Sequence, residues 1–372
     1  MNNNLTKLLQ EMVRRQASDL FITVGAAPSI KVHGRLVQLG KTLLDRDMVE
    51  QFLTALMSES QQRAFADSNE ANFAFAPQGL PRFRANAFVQ RNSPGLVIRQ
   101  IRGQVPTLDE LELPGQVGEL ALAKRGIVFV VGATGAGKST SLAAMVQQRN
   151  LLGSGHIITI EDPIEYLHHH QNCLITQREV GVDTDSFESA LENTLRQAPD
   201  CIVIGEIRSR EAMQQAIAFA ETGHLCLATL HANTAVQAIE RILHFFPAAE
   251  HERVRLDLSL NLTAVMAQQL LPKPSRDGRV LCSELLLNTP LVSEKIRANK
   301  VVELRELMAR SANLGMQTFD QSLFALYRSG RIEYQTALAC ADSVNDLRLQ
   351  IKLAEGRHRE GKTRLDRAGL AE

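Results

Sequence analysis

Apolar and polar positions change rhythm once along this chain, close to residue 116. Before that point Leu5, Leu8, Leu9, Met12 and Val13 recur at helical spacing and predict an amphipathic first helix. Short apolar stretches at 21–24, 31–33, 83–88 and 96–101 predict strands, so residues 1–103 read as an α+β domain with a largely antiparallel sheet. Residues 104–115 carry Pro106, Pro114 and Gly115 and read as a linker. Beyond it, apolar runs at 127–131, 157–160, 201–204 and 225–229 alternate with helical stretches. Continuous runs of this kind suit strands buried on both faces of a parallel sheet. Asp185 to Glu188 reads as a capping box, with Phe187, Ala190, Leu191 and Leu195 on the face of the helix it opens. Val236, Ile239, Leu243 and Phe246 mark a later helix that Pro247 stops. The α/β core is thus placed at 116–284 and a C-terminal helical region at 285–352. The polar, aperiodic segment 353–372 is expected to be a disordered charged tail.

Composition narrows the class. The 372 residues are enough for two or three domains, and 44% hydrophobic content is that of an ordinary globular core. Lys plus Arg and Asp plus Glu both number 41, so net charge is zero, which argues against a nucleic-acid partner. Cys173, Cys201, Cys226, Cys282 and Cys340 have no zinc or redox-pair spacing and fit a reducing compartment. The N-terminus does not read as a signal peptide, and no apolar run approaches the roughly 18 residues of a membrane span. A cytoplasmic protein without a direct membrane span is expected.

The chemistry begins at Gly132-Ala-Thr-Gly-Ala-Gly-Lys-Ser-Thr140, between an apolar strand and a helix start. That is a complete phosphate-binding loop in its proper context. Its candidate nucleotide-binding residues are Gly132, Thr134, Gly135, Ala136, Gly137, Lys138, Ser139 and Thr140. Backbone N–H groups would face phosphate oxygens, Lys138 would reach the β- and γ-phosphates of ATP, and Ser139 would ligate Mg²⁺.

Three further clusters lie at strand ends, where an open parallel sheet binds its ligand. Glu161, Asp162 and Glu165 suit Mg²⁺ binding and the orientation of an attacking water, or form a plain acidic turn. Glu206 ends an apolar strand where many nucleotide triphosphatases carry Asp, and can hold Mg²⁺ or polarise water. His224 and His231 flank a third strand, and His231 is the better candidate for bonding the γ-phosphate. Arg82, Arg84, Arg91, Arg99 and Arg102 fall in one stretch. They can supply charge to a neighbouring subunit's nucleotide or form a solvated strand face.

These clusters, with residues 18–23 and 268–272, resemble the secretion ATPases of type II secretion and type IV pilus systems over nearly the whole chain. The resemblance implies a PAS-like N-terminal domain, a RecA-like P-loop ATPase domain and a homo-hexamer in which neighbouring subunits pack the two against each other. It makes Glu161 the activator of water, Glu206 the Walker B acid and Mg²⁺ ligand, and His231 a member of the His box. Arg84 and Arg99 become the candidate arginine contacts. No tetracysteine module is present, which favours the retraction branch. Departures at 196–200 and 294–300, the segment 177–186 and the charged tail resemble the accessory retraction ATPases. The partners so implied are the principal pilus retraction ATPase and the inner-membrane pilus platform protein. A principal retraction motor and a non-catalytic nucleotide-binding partner of another ring are the alternatives.

Overall fold

The structure, a computed structural model, describes residues 3–355 apart from 33, 102 and 276. His33, Arg102 and the tail from 356 onward therefore lie outside the described residues. The chain divides into two compact units. One comprises residues up to 105 with 161–169 and 177–190, and the other holds the rest.

The first unit is built on a six-stranded sheet. Its strands are β1 (Asp19–Thr23), β2 (Ser29–Val32), β3 (Arg35–Gln38), β4 (Glu70–Phe75), β5 (Phe83–Gln90) and β6 (Ser93–Gln100). The order is β3-β2-β1-β6-β5-β4 with every pairing antiparallel. Alternate residues of β5, namely Phe83, Ala85 and Ala87, are buried, as one covered sheet face requires. The amphipathic helix Asn3–Arg14 contributes Leu5, Leu9 and Met12 to the same core, with Leu8 and Val13 packed partly buried against it. Strands β3 and β4 escape the sequence pattern because they are edges with mostly exposed or half-buried side chains.

The second sheet comprises β7 (Gly126–Val131), β8 (Gly155–Glu161), β9 (Cys173–Glu179), β10 (Cys201–Ile204), β11 (Leu225–Leu230), β12 (Leu262–Pro272) and β13 (Arg279–Leu287). Its order is β13-β12-β7-β11-β10-β8-β9. Strands β8, β10, β11, β7 and β12 run parallel, while β12 and β13 form an antiparallel hairpin at one edge. Every residue of β7, β10 and β11 is buried, which is why these strands read as unbroken apolar runs.

Several local expectations need correction. The helical region placed from 285 begins after β13, which continues to Leu287. Ser186, not Asp185, caps the helix Phe187–Thr194, its hydroxyl accepting the Ser189 N–H at 3.1 Å. Glu188 then lies inside the first turn, and Leu195 falls in a following 3₁₀ turn and is exposed. Residues 353–355, assigned to the tail, continue a helix that spans 344–355 and buries Leu347 and Ile351. The sequence pattern also assigns 161–169 and 177–190 to the ATPase core, whereas they pack with the first unit. No helix among the described residues is long and apolar enough to cross a membrane.

Candidate nucleotide site

Strands β7, β11 and β10 are neighbours, and the residues that follow their C-terminal ends meet. The phosphate loop leaves β7 at Gly132 and enters the helix Lys138–Leu152. Close packing dictates glycine at Gly132, since a Cβ there would stand 2.6 Å from the carbonyl oxygen of Gln268. Gly137, the N-cap, has φ 89°, a left-handed conformation that glycine adopts without strain. Gln268 on β12 is 1% exposed and donates from Nε2 to the Ala136 carbonyl at 2.6 Å. Arg279 on β13 reaches the Gly135 carbonyl at 3.4 Å.

Lys138 is buried and folds back over the loop. Its Nζ donates to the carbonyls of Gly132 at 2.9 Å and Ala133 at 3.1 Å. The same Nζ lies 3.5 Å from His231 Nδ1, the outer limit of hydrogen-bond distance. His231 directly follows β11, and its Nε2 is 2.9 Å from Glu206 Oε1. An ammonium can only donate, so Nδ1 accepts and the ring carries its proton on Nε2, facing Glu206.

Glu206 stands two residues beyond β10. The turn that carries it is held by the Thr229 hydroxyl on the Gly205 carbonyl at 2.5 Å and by the Ile207 N–H on the Thr229 carbonyl at 2.9 Å. Arg208 Nη2 donates to Glu206 Oε2 at 2.7 Å. Partial burial pulls the Glu206 carboxyl upward, but the Arg208 hydrogen bond and the charges of Arg208, His231 and Lys138 outweigh it. The acid is held below the ordinary carboxylate range and is ionised near neutrality. Thr134 is exposed on the loop and Ala136 is buried within it, while in the first helical turn Ser139 is exposed and Thr140 half-buried.

His224 lies at the other end of β11, before its first residue, bonded to Thr222 and the Phe219 carbonyl. Six strand residues, roughly 20 Å, separate it from His231, so it lies at the end of β11 away from the phosphate loop.

Glu161 closes β8 and belongs to the first unit, where Gln177 Nε2 donates to its Oε1 at 3.1 Å. In that unit Glu179 is 2% exposed, and burial pushes its carboxyl up against the pull of the Ile164 N–H and of Arg84, whose Nε is 4.0 Å away. Arg99 pairs with buried Asp19 at 2.8 Å, directly across the β1/β6 register. Gln268 and Arg279 carried no assigned role at the sequence level. For Gln268 the signals were a polar side chain inside the apolar stretch of β12 and its place in the 268–272 segment of the family resemblance.

Residues 1–313 match the family described as Type II/IV secretion system protein. The chain is 60% identical to the type IV pilus ATPase PilU of Pseudomonas aeruginosa, over 93% of this chain and 91% of that one. It is 39% identical to the type IV pilus retraction ATPase PilT of the same organism, over 90% and 97%. Its fold is similar to a crystal structure of the pilus retraction motor PilT with bound ADP, at a TM-score of 0.86 and 38% identity, covering 91% of this chain and 97% of that one.

Proposed function

The chain belongs to the Type II/IV secretion system protein family, and from that premise we infer that it is an ATP-hydrolysing motor of type IV pilus machinery that assists pilus retraction in twitching motility. The observation that carries the accessory assignment is the 60% identity to PilU over nearly the whole chain. The observation that supports hydrolysis is the run Lys138–His231–Glu206 at the mouth of a complete phosphate loop.

In this reading the loop N–H groups and the helix start at Lys138 bind the β- and γ-phosphates. Lys138 exchanges its contacts with the loop carbonyls for phosphate oxygens, and His231 donates its Nε2–H to the γ-phosphate. Glu161 holds the attacking water and accepts its proton. The Ser139 hydroxyl and the ionised Glu206 are hard oxygen donors and fit Mg²⁺. The ion supplies neutralisation of charge on the phosphates. The first unit is read as PAS-like and the second as RecA-like. The working form is a homo-hexamer, peripheral to the inner-membrane pilus machinery, with Arg84 and Arg99 offered to a neighbour's nucleotide. The principal retraction ATPase and the platform protein are its partners.

The test is retraction in cells lacking this protein, the principal retraction ATPase, or both. Weakened retraction without this protein, and none when it acts alone, is the expected result. Normal retraction driven by this protein alone would overturn the accessory role.

A further inference from the structure

The β12–β13 hairpin buries Ser283 and Glu284 as well as Gln268. Glu284 on β13 is 1% exposed, and its Oε1 accepts the Ala235 N–H at 2.6 Å. Ala235 is the first residue of the helix Ala235–His244. Its N-cap Thr234 serves a different donor, the Gln237 N–H at 3.1 Å. Thr234 and Glu284 thus each take one of the free donors of that helix start. The N–H of Phe319, first residue of the helix Phe319–Arg328, also favours its ionised form. Asp342 and Arg305 are the other charges that act on it.

A carboxylate without solvent is costly to bury unless its donors are fixed, so its geometry admits little adjustment. Four residues, 231–234, join the end of β11 to the helix start at Ala235. The strand is locked in the sheet at one end of this segment, and Glu284 locks the other. His231 is its first residue, and the contacts it makes to Lys138 and Glu206 require the ring to stay in one place.

We propose that Glu284 is a positioning residue for the nucleotide site: through the Ala235 N–H it fixes segment 231–234 and so holds the His231 imidazole between Lys138 and Glu206. The proposal rests on reading that site as the ATPase site.

The experiment uses full-length protein and compares Glu284→Leu, which removes the acceptor at similar volume, with His231→Ala and with the double variant. Ala235→Pro removes the same hydrogen bond from its donor side, and proline is tolerated at a first helical position. Steady-state kcat and KM are measured beside the Kd of a fluorescent ATP analogue and the melting midpoint. Glu284→Leu should lower kcat at least about tenfold while changing the analogue's Kd by less than about threefold. Ala235→Pro should do the same and carries the test if Glu284→Leu does not fold. Adding Glu284→Leu to His231→Ala should change kcat by less than about twofold, because both act on one interaction. Full multiplication of the two losses, or wild-type kcat in folded Glu284→Leu or Ala235→Pro, would overturn the proposal. Undiminished hydrolysis by Lys138→Ala would instead overturn the ATPase-site reading, so the two failures are distinct.

Discussion

His231 Nε2 lies 2.9 Å from Glu206 Oε1, while the opposite ring nitrogen faces Lys138 Nζ at 3.5 Å. One imidazole therefore spans from the phosphate loop to the acid beyond the neighbouring strand. Its proton sits on the acid side, and Arg208 holds the other oxygen of the same carboxylate. Each member constrains the next, which makes the site testable by single substitutions.

Lys138→Ala removes the cation of the phosphate loop, whose ammonium donates to the Gly132 and Ala133 carbonyls and lies beside His231. Turnover should fall by about two orders of magnitude or more with the melting temperature little changed. Coupled-enzyme ATPase assays on folded protein check this.

Glu161→Gln and Glu206→Gln keep shape and lose charge. Both should still bind ATP, and both should hydrolyse it at least about a hundredfold more slowly. Equilibrium titration beside turnover separates the two effects. Full turnover by Glu161→Gln would remove it from the role of base.

Burial pushes the Glu284 carboxyl up to about 7 from 4.5, with Asp342 adding to the shift and the Ala235 N–H and Arg305 opposing it. Between these two values the folded chain keeps a proton that the unfolded chain has released. Stability from this group is therefore complete below about pH 4.5 and is lost as pH rises through about 7. The loss is on the order of 3 kcal/mol. Glu284→Gln removes the titration, so the wild type should be favoured over this variant more at pH 5 than at pH 8. Thermal midpoints of both proteins at the two pH values decide it, and a constant difference would contradict the assignment.

Arg99 is already paired with Asp19, but its guanidinium side chain is 70% exposed and can face a second anion. If it serves a neighbouring subunit's nucleotide, mixing Arg99→Ala with Lys138→Ala should give more activity than the two proteins assayed separately. Additive activity across all mixing ratios would exclude that role.

The helix 344–355 changes where the C-terminal segment is best removed. Ile351 is buried and Glu355 accepts the Tyr327 hydroxyl at 2.8 Å, so a cut after Ile351 damages the folded part. Truncation after Glu355 should leave ATPase activity within about twofold and weaken co-purification with the principal retraction ATPase. Unchanged co-purification would assign that contact elsewhere.

How much of this was legible in the sequence depended on the environment of each residue. Strands β7, β10 and β11 are covered on both faces, so their side chains had to be apolar without interruption. The phosphate loop was legible because it is one short contiguous motif, in which Gly135 and Gly137 answer local backbone demands. Strands β12 and β13 were not, since Ala, Met, Gln and Leu in β12 are good helix formers overruled by pairing with β7 and β13. Glu284 was invisible for a different reason. Its partner Ala235 is 49 residues away, and no periodic pattern marks a lone acid whose donors are backbone N–H groups. His231 was the better candidate of the two histidines flanking one strand, and the direction of β11 places it, not His224, beside the phosphate loop.

The first unit is assembled from three pieces of chain, the last of which ends at Ala190. On the ribosome its six-stranded sheet is therefore complete long before the unit is. At roughly 5–20 residues per second, the nascent chain passes residue 105 several seconds before 177–190 emerge. Through that interval Arg84 has been synthesised without Glu179. The same arithmetic governs molecular dissection. A fragment cut at the proline-containing connector is an unfinished unit, and limited proteolysis there would release pieces that each lack part of the architecture they appear to contain. In such a chain, gene order and domain order are different things.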